Sequence, residues 1–188
     1  MSMGMPNFLT SLRILSIPLI VYGLQAGTPR SLLAAGIVFL LSMATDALDG
    51  YFARKFARIT VLGTVMDPIA DKMLMLSVLF LFADLGLIPL WTALVMLFRE
   101  FFVSGLRQAG ASGGTMIGAN WMGKTKTALQ TALISYAFAF LYARAVGREL
   151  PWGADLIYYG NLALTFLAIV FAAAFANANR AVFRDKSA

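Results

Sequence analysis

The sequence predicts an all-α integral membrane protein with six transmembrane helices. Of its 188 residues, 60% are hydrophobic and 13% are charged, and the mean hydropathy is +0.79, which is too apolar for a soluble domain of this size. Six stretches approach the roughly 20 mostly apolar residues that a membrane-spanning helix needs. Their connections are short, so we expect one domain over residues 1–188. A soluble bundle of buried helices is the alternative.

Polar residues, glycines and prolines mark the ends of the six predicted segments. The segments cover about Phe8–Ala26, Ser31–Arg54, Asp67–Leu85, Pro89–Gln108, Lys126–Ala145 and Asp155–Ala178. Pro68 suits the first turn of the third helix, where a backbone N–H would have no partner. The glycine-rich stretch Ala109–Met122 is typical of a mobile connection. Because Met1–Asn7 carries no basic residue, we expect the first segment to be a retained span rather than a cleaved signal peptide.

The chain has no cysteine and no histidine. Disulfides and thiol chemistry are therefore excluded, and the commonest proton-transfer group and metal ligand is missing. Carboxylates are left to bind any hard cation and to act as a base.

The basic residues divide unevenly when the six segments alternate across a bilayer. Twelve of the 15 fall on one side, namely Arg13, Arg54, Lys55, Arg58, Lys72, Arg99, Arg107, Lys124, Lys126, Arg180, Arg184 and Lys186. The positive-inside rule makes that side cytoplasmic and predicts that both termini lie there.

The polar stretch 46–72 carries four aspartates between apolar segments. Asp46 and Asp49 are three residues apart, and Asp67 and Asp71 are four apart, so each pair shares one face of a helix. Each ionised aspartate within a spanning helix costs roughly 2.5 to 3.5 kcal/mol. Four such residues therefore need compensation.

Two explanations account for these acids. Structural ion pairs with Arg54 and Lys72 are one, although two cations cannot neutralise four carboxylates. Divalent cations are the other, because Mg²⁺ and Mn²⁺ prefer oxygen ligands and Mg²⁺ shares its shell with water and substrate phosphates. We favour a pair of ions bridging a pyrophosphate. Gly50 and Gly63, which lack a Cβ, would let a ligand approach the backbone.

The spacing D-x-x-D-G-x-x-A-R-x8-G-x-x-x-D-x-x-x-D resembles the signature of the CDP-alcohol phosphotransferases. Its eight fixed positions are present as Asp46, Asp49, Gly50, Ala53, Arg54, Gly63, Asp67 and Asp71. The resemblance implies six transmembrane helices, a homodimer, and two Mg²⁺ or Mn²⁺ ions at the cytoplasmic end of the bundle. It also implies transfer of a phosphatidyl-type group from a CDP-linked donor to an alcohol, with release of CMP.

The flanking runs 6–13, 99–107 and 123–127 are similar to those of bacterial members that use glycerol 3-phosphate as the acceptor. This resemblance covers nearly the whole chain. It implies CDP-diacylglycerol as the donor and a multi-pass protein among the lipids of the bacterial cytoplasmic membrane, with its active site facing the cytoplasm. No nucleic-acid partner is expected.

The family resemblance also implies roles for individual residues. The metal ligands would be Asp46, Asp49, Asp67 and Asp71, with Asp71 also the general base. The donor would be bound by Thr10, Arg13, Gly50, Ala53, Arg54 and Gly63. The acceptor phosphate would be bound by Arg99, Arg107, Lys124 and Lys126. Arg13 could instead anchor the first helix at the membrane interface, and Arg99 could pair with Glu100 or a nearby aspartate.

Several alternatives stay open. Direct transfer is preferred to a phosphatidyl-enzyme intermediate because no cysteine or histidine is present, although a carboxylate nucleophile is chemically possible. The acceptor could be inositol phosphate, serine or phosphatidylglycerol, since the aspartates act on the shared donor. A cation transporter also holds intramembrane acids, but near the bilayer midplane and often on broken helices. A membrane scaffold would need none of the four acids.

Overall fold

The computed structural model describes residues 5–56, 61–112 and 121–180, which form six α-helices and no strand. The helices are α1 (Met5–Ala26), α2 (Pro29–Phe56), α3 (Val61–Asp84), α4 (Leu90–Ser112), α5 (Trp121–Ala145) and α6 (Gly153–Ala178). The predicted all-α class and the number of helices are confirmed.

The start of α3 corrects the sequence prediction. The helix begins at Val61, so Pro68 is its eighth residue and does not lie in the first turn. The prediction followed the preference of proline for helix starts and was wrong, because the apolar residues before Pro68 continue the helix. Pro18 likewise lies inside α1. Interior prolines are tolerated in apolar helix bundles, where neighbouring groups satisfy the backbone carbonyl that proline leaves without a donor.

Helix also covers both ends of the predicted connection Ala109–Met122. The helix α4 continues to Ser112 and α5 begins at Trp121, while residues 113–120 lie outside the described part of the chain. Lys124 and Lys126 therefore stand in the first two turns of α5.

The helices pack around one apolar core. The helix α1 packs against α2 and α3, α5 packs against α2 and α6, and α4 packs against α3 and α6. Phe39, Phe82 and Phe138 lie at its centre, with ring centroids 5.6 Å apart for Phe39 and Phe138 and 5.5 Å apart for Phe82 and Phe138. Such aromatic pairs add stabilisation beyond the area they bury. They join α2, α3 and α5 in one fixed arrangement.

Two contacts define how α1 and α2 lie against each other. A Cβ on Gly23 would stand 2.7 Å from the Cβ of Ala35, so glycine is what allows the two backbones to approach this closely. Toward the other end, the Ser42 hydroxyl donates a hydrogen bond of 3.0 Å to the Ser16 hydroxyl. The two helices are therefore antiparallel and in one register along their length.

The exterior of the bundle is largely apolar. Among the described residues, α6 is the helix long and apolar enough to cross a membrane, and α1 and α2 contain the shorter apolar stretches Ser11–Ala26 and Pro29–Thr45. Large side chains such as Leu19, Phe98 and Phe166 point outward and are well exposed. A soluble helix carries polar residues on that face. This exterior favours an integral membrane protein over a soluble bundle.

Asn161 joins α6 to α4 through a buried hydrogen bond. Its Nδ2 donates to Thr92 Oγ1 at 2.6 Å, and the two residues are 2% and 0% exposed. We expect Asn161→Leu to lower the free energy of unfolding by about 1 kcal/mol, because Thr92 loses a donor in an apolar environment. Thermal unfolding in detergent measures this loss. The same exchange at the exposed Asn177 of α6 is the control, and equal stability of both variants would contradict the prediction.

Candidate functional site

Four charged side chains lie close together near the middle of α3 and of α4 and in the second turn of α5. We call Lys72, Arg99, Glu100 and Lys126 the charge cluster. Glu100 Oε1 accepts hydrogen bonds from Arg99 Nη1 and from Lys126 Nζ, each at 2.8 Å. Lys72 Nζ donates to Ser104 Oγ, one turn further along α4. Two cations therefore contact one carboxylate, and a third cation, Lys72, lines a cavity together with Glu100 and Lys126, so the cluster has a surplus of positive charge.

The burial of Lys126 makes its ion pair with Glu100 important for the stability of the bundle. Lys126 is 4% exposed, and a buried ammonium group is costly unless it is paired. Glu100 supplies that partner from a different helix. The pairing of Arg99 with Glu100, considered from the sequence as an alternative to phosphate binding, is observed.

A small cavity of about 30 Å³ lies beside the charge cluster. Its polar lining comes from Lys72, Glu100, Lys126, Thr127 and Gln130. A volume of this size holds one or two water molecules or a small polar group. The cavity therefore combines positive charge, hydroxyl and amide groups in one place.

The other two predicted acceptor-binding residues lie apart from the cavity. Arg107 is exposed, and its guanidinium carbon stands 5.6 Å from the centroid of the Phe175 ring on α6, within the range of a cation–π contact. Lys124 is exposed on the first turn of α5. The structure thus brings Arg99 and Lys126 together and leaves Arg107 and Lys124 exposed outside the cavity. We call these two exposed positions the rim.

Arg13 is buried between helices, with 3% of its surface exposed. The α1–α2 register set by Ser16 and Ser42 places Arg13 level with Thr45, the residue before Asp46. An arginine that reaches the membrane interface keeps its charged head in water. Burial at the level of the acidic stretch instead favours a role beside the aspartates.

The four aspartates lie in helices at the predicted spacings, Asp46 and Asp49 in α2, and Asp67 and Asp71 in α3. Their side chains lie outside the described part of the structure, as do those of Thr10, Gly50, Ala53, Arg54 and Gly63. Among the side chains that are described, no group of three carboxylates could hold a metal ion. Since Lys72 directly follows Asp71, the charge cluster adjoins the acidic stretch along α3.

The sequence prediction missed Lys72, Ser104 and Gln130 as candidate site residues. The spacing carries a signal, because Ser104 follows Glu100 by four residues and Gln130 follows Lys126 by four, which places each pair on one helix face. Which face meets the acidic stretch depends on how the helices pack.

Comparison with known proteins matches residues 3–176 to the CDP-alcohol phosphatidyltransferase family. The chain is similar to the CDP-diacylglycerol--glycerol-3-phosphate 3-phosphatidyltransferase of Bacillus subtilis, with 36% identity over 144 residues that cover 70% of this chain and 75% of that protein. It is also similar to the protein of that name from Rickettsia bellii, with 35% identity over 158 residues covering 79% and 86% of the two chains. The Haemophilus influenzae protein of the same name is 34% identical over 135 residues, covering 69% and 72%.

Proposed function

Because this chain belongs to the CDP-alcohol phosphatidyltransferase family, we propose that it transfers the phosphatidyl group of CDP-diacylglycerol to glycerol 3-phosphate. The products are phosphatidylglycerophosphate and CMP, and the reaction is the committed step of phosphatidylglycerol synthesis. The charge cluster supports an acceptor that bears a phosphate dianion, because it has a surplus of positive charge and adjoins Asp71. Between glycerol 3-phosphate and inositol phosphate, the names of the three relatives favour glycerol 3-phosphate.

The metal half of the proposed site consists of Asp46, Asp49, Asp67 and Asp71. Dependence on divalent metals is general in the family, and carboxylates from the two consecutive helices α2 and α3 provide oxygen donors suited to Mg²⁺ or Mn²⁺. We assign two ions to these residues. When bound, such ions hold a pyrophosphate and offset the charge that develops on its oxygens.

The proposed donor pocket lies around the same stretch. Gly50, Ala53 and Gly63 are small enough to let the cytidine approach the backbones of α2 and α3. The polar residues assigned to the donor are Thr10, Arg13 and Arg54. Buried Arg13, level with Thr45, offers a guanidinium to a phosphate or to a metal-binding carboxylate.

The proposed reaction is a direct displacement. Asp71 accepts the proton of the attacking hydroxyl of glycerol 3-phosphate. The hydroxyl oxygen forms a bond to the phosphorus that carries diacylglycerol, the bond from that phosphorus to the CMP oxygen breaks, and CMP leaves with the electron pair. The chain offers no cysteine or histidine for a covalent intermediate.

The proposed acceptor site uses the charge cluster and its rim. Lys126 and Arg99 are held in place by Glu100, and Lys72 lines the same cavity as Lys126. Arg107 and Lys124 stand at the rim, where exposed cations attract an anion. Charge-assisted hydrogen bonds to a phosphate are among the stronger polar contacts in proteins.

The proposed topology is a single domain over residues 1–188 with six spans, both termini cytoplasmic, in the bacterial cytoplasmic membrane. Aromatic residues at the α5–α6 end of the bundle support it. There Tyr136 donates to the Pro151 carbonyl, Tyr158 packs edge-on against Tyr159, and Trp152 is exposed. Aromatic residues of this kind gather at membrane interfaces. The homodimer implied by the family resemblance is part of the proposal.

An acceptor assay tests the function. Membranes containing the protein are incubated with CDP-diacylglycerol and with glycerol 3-phosphate, inositol phosphate, serine or phosphatidylglycerol, and CMP is measured. We expect metal-dependent CMP release with glycerol 3-phosphate and none with the other acceptors. Release with another acceptor reassigns the substrate, and metal flux without CMP release favours a cation transporter.

Two rim variants test the acceptor site. We expect Lys124→Ala and Arg107→Ala each to raise the KM for glycerol 3-phosphate by about two- to fivefold, which corresponds to the roughly 0.5 to 1 kcal/mol of an exposed charge interaction. The KM for CDP-diacylglycerol should change much less. Arg144→Ala, at the opposite end of the bundle, is the control. A rise in the KM for CDP-diacylglycerol alone would overturn the assignment of these two residues to the acceptor.

A further inference from the structure

Gln130 of α5 has a buried side chain with an unsatisfied polar atom. The residue is 3% exposed, and its Oε1 accepts no hydrogen bond from the described residues. Leaving such an atom unpaired in an apolar interior destabilises the protein. A buried polar group without a protein partner therefore requires a ligand or an ordered water.

Gln130 lies at the charge cluster. It follows Lys126 by one helical turn, and both line the cavity of about 30 Å³ together with Lys72 and Glu100. Residues at this spacing stand roughly 5 to 6 Å apart. The cavity thus offers cations at one point and an amide oxygen at a second point deeper in the bundle. Because the cavity has room for only a small polar group, we place the hydroxyl group of an acceptor in it beside Gln130, and the anionic end outside it, near the cations Lys72 and Lys126 that line it.

We infer that Gln130 makes the protein selective for acceptors with a hydroxyl group on the carbon between the phosphate-bearing carbon and the reacting carbon. This inference rests on the proposed function. In glycerol 3-phosphate the middle hydroxyl does not react, and it donates its hydrogen to Gln130 Oε1 while the cations bind the phosphate. A site built to pair with a hydroxyl rejects an analogue that lacks it, because the buried protein atom then stays unpaired.

The test compares two acceptors in the full-length protein. Glycerol 3-phosphate and 3-hydroxypropyl phosphate share the phosphate and the reacting hydroxyl, but the second lacks the middle hydroxyl. We expect the parent protein to use glycerol 3-phosphate at least about tenfold better in kcat/KM. Gln130→Leu should remove this preference by raising the KM for glycerol 3-phosphate, with the KM for CDP-diacylglycerol nearly unchanged. Gln130→Met, which keeps the unbranched shape, should do the same.

Thr165→Val is the matched control, because it also removes a buried polar group from the bundle but away from the cavity. It should keep the preference for glycerol 3-phosphate. An equal loss with both acceptors in the Gln130 variants would show a packing role and overturn the inference, and so would a parent protein that uses both acceptors equally. No CMP release with either acceptor would instead overturn the proposed function, and the inference with it.

Discussion

Asp71→Asn is expected to reduce CMP release by roughly 10²- to 10⁴-fold, the usual contribution of a general base. The amide cannot take the proton of the attacking hydroxyl, yet it has nearly the shape of the carboxylate. Folding and CDP-diacylglycerol binding should therefore be retained. Single-turnover CMP release and binding of the CDP-lipid are the two measurements.

Asp84→Asn is the control for this variant. Asp84 lies at the last residue of the same helix, α3, and is exposed, so the same exchange there should leave turnover unchanged. Retained turnover in Asp71→Asn would contradict the role of a base. Loss of CDP-lipid binding would show that Asp71 is needed for donor or metal binding, and the loss of turnover would then not establish a role as base.

Glu100→Gln is expected to lower the free energy of unfolding by about 3 kcal/mol, in the range seen when one partner of a buried ion pair is removed. Glu100 is the shared partner of Arg99 and Lys126, so its neutralisation removes one negative charge from between two mostly buried cations. Thermal unfolding in detergent measures the loss. The exposed Glu149 provides the control, and Glu149→Gln should unfold like the parent protein.

Combining Glu100→Gln with Lys126→Met separates stability from binding. The double variant removes both charges of the pair and should regain part of the stability lost in Glu100→Gln, since contacting residues do not act additively. It should not regain glycerol 3-phosphate binding, because Lys126 is assigned to the acceptor phosphate. A Glu100→Gln protein as stable as the parent would show that the ion pair does not stabilise the bundle.

Much of the fold was predictable from local sequence. Helical segments are visible as apolar runs, because a membrane-spanning helix must satisfy its own backbone hydrogen bonds over a set length. The predicted boundaries missed by up to six residues, most clearly at α3, because apolar residues before Pro68 continue the helix. The family resemblance is confirmed by the match over residues 3–176. It was recognisable because the signature lies on two consecutive helices at fixed spacings.

The pairing of the aspartates in the acidic stretch therefore follows from the sequence alone. Helical geometry places Asp46 near Asp49 and Asp67 near Asp71, whatever surrounds them. The other half of the site required the packed bundle. The contact between Glu100 and Lys126, the placement of Arg107 over Phe175 and the burial of Gln130 each depend on how one helix slides and rotates against another. That register is set by interlocking side chains across the core, which no spacing within a single helix specifies.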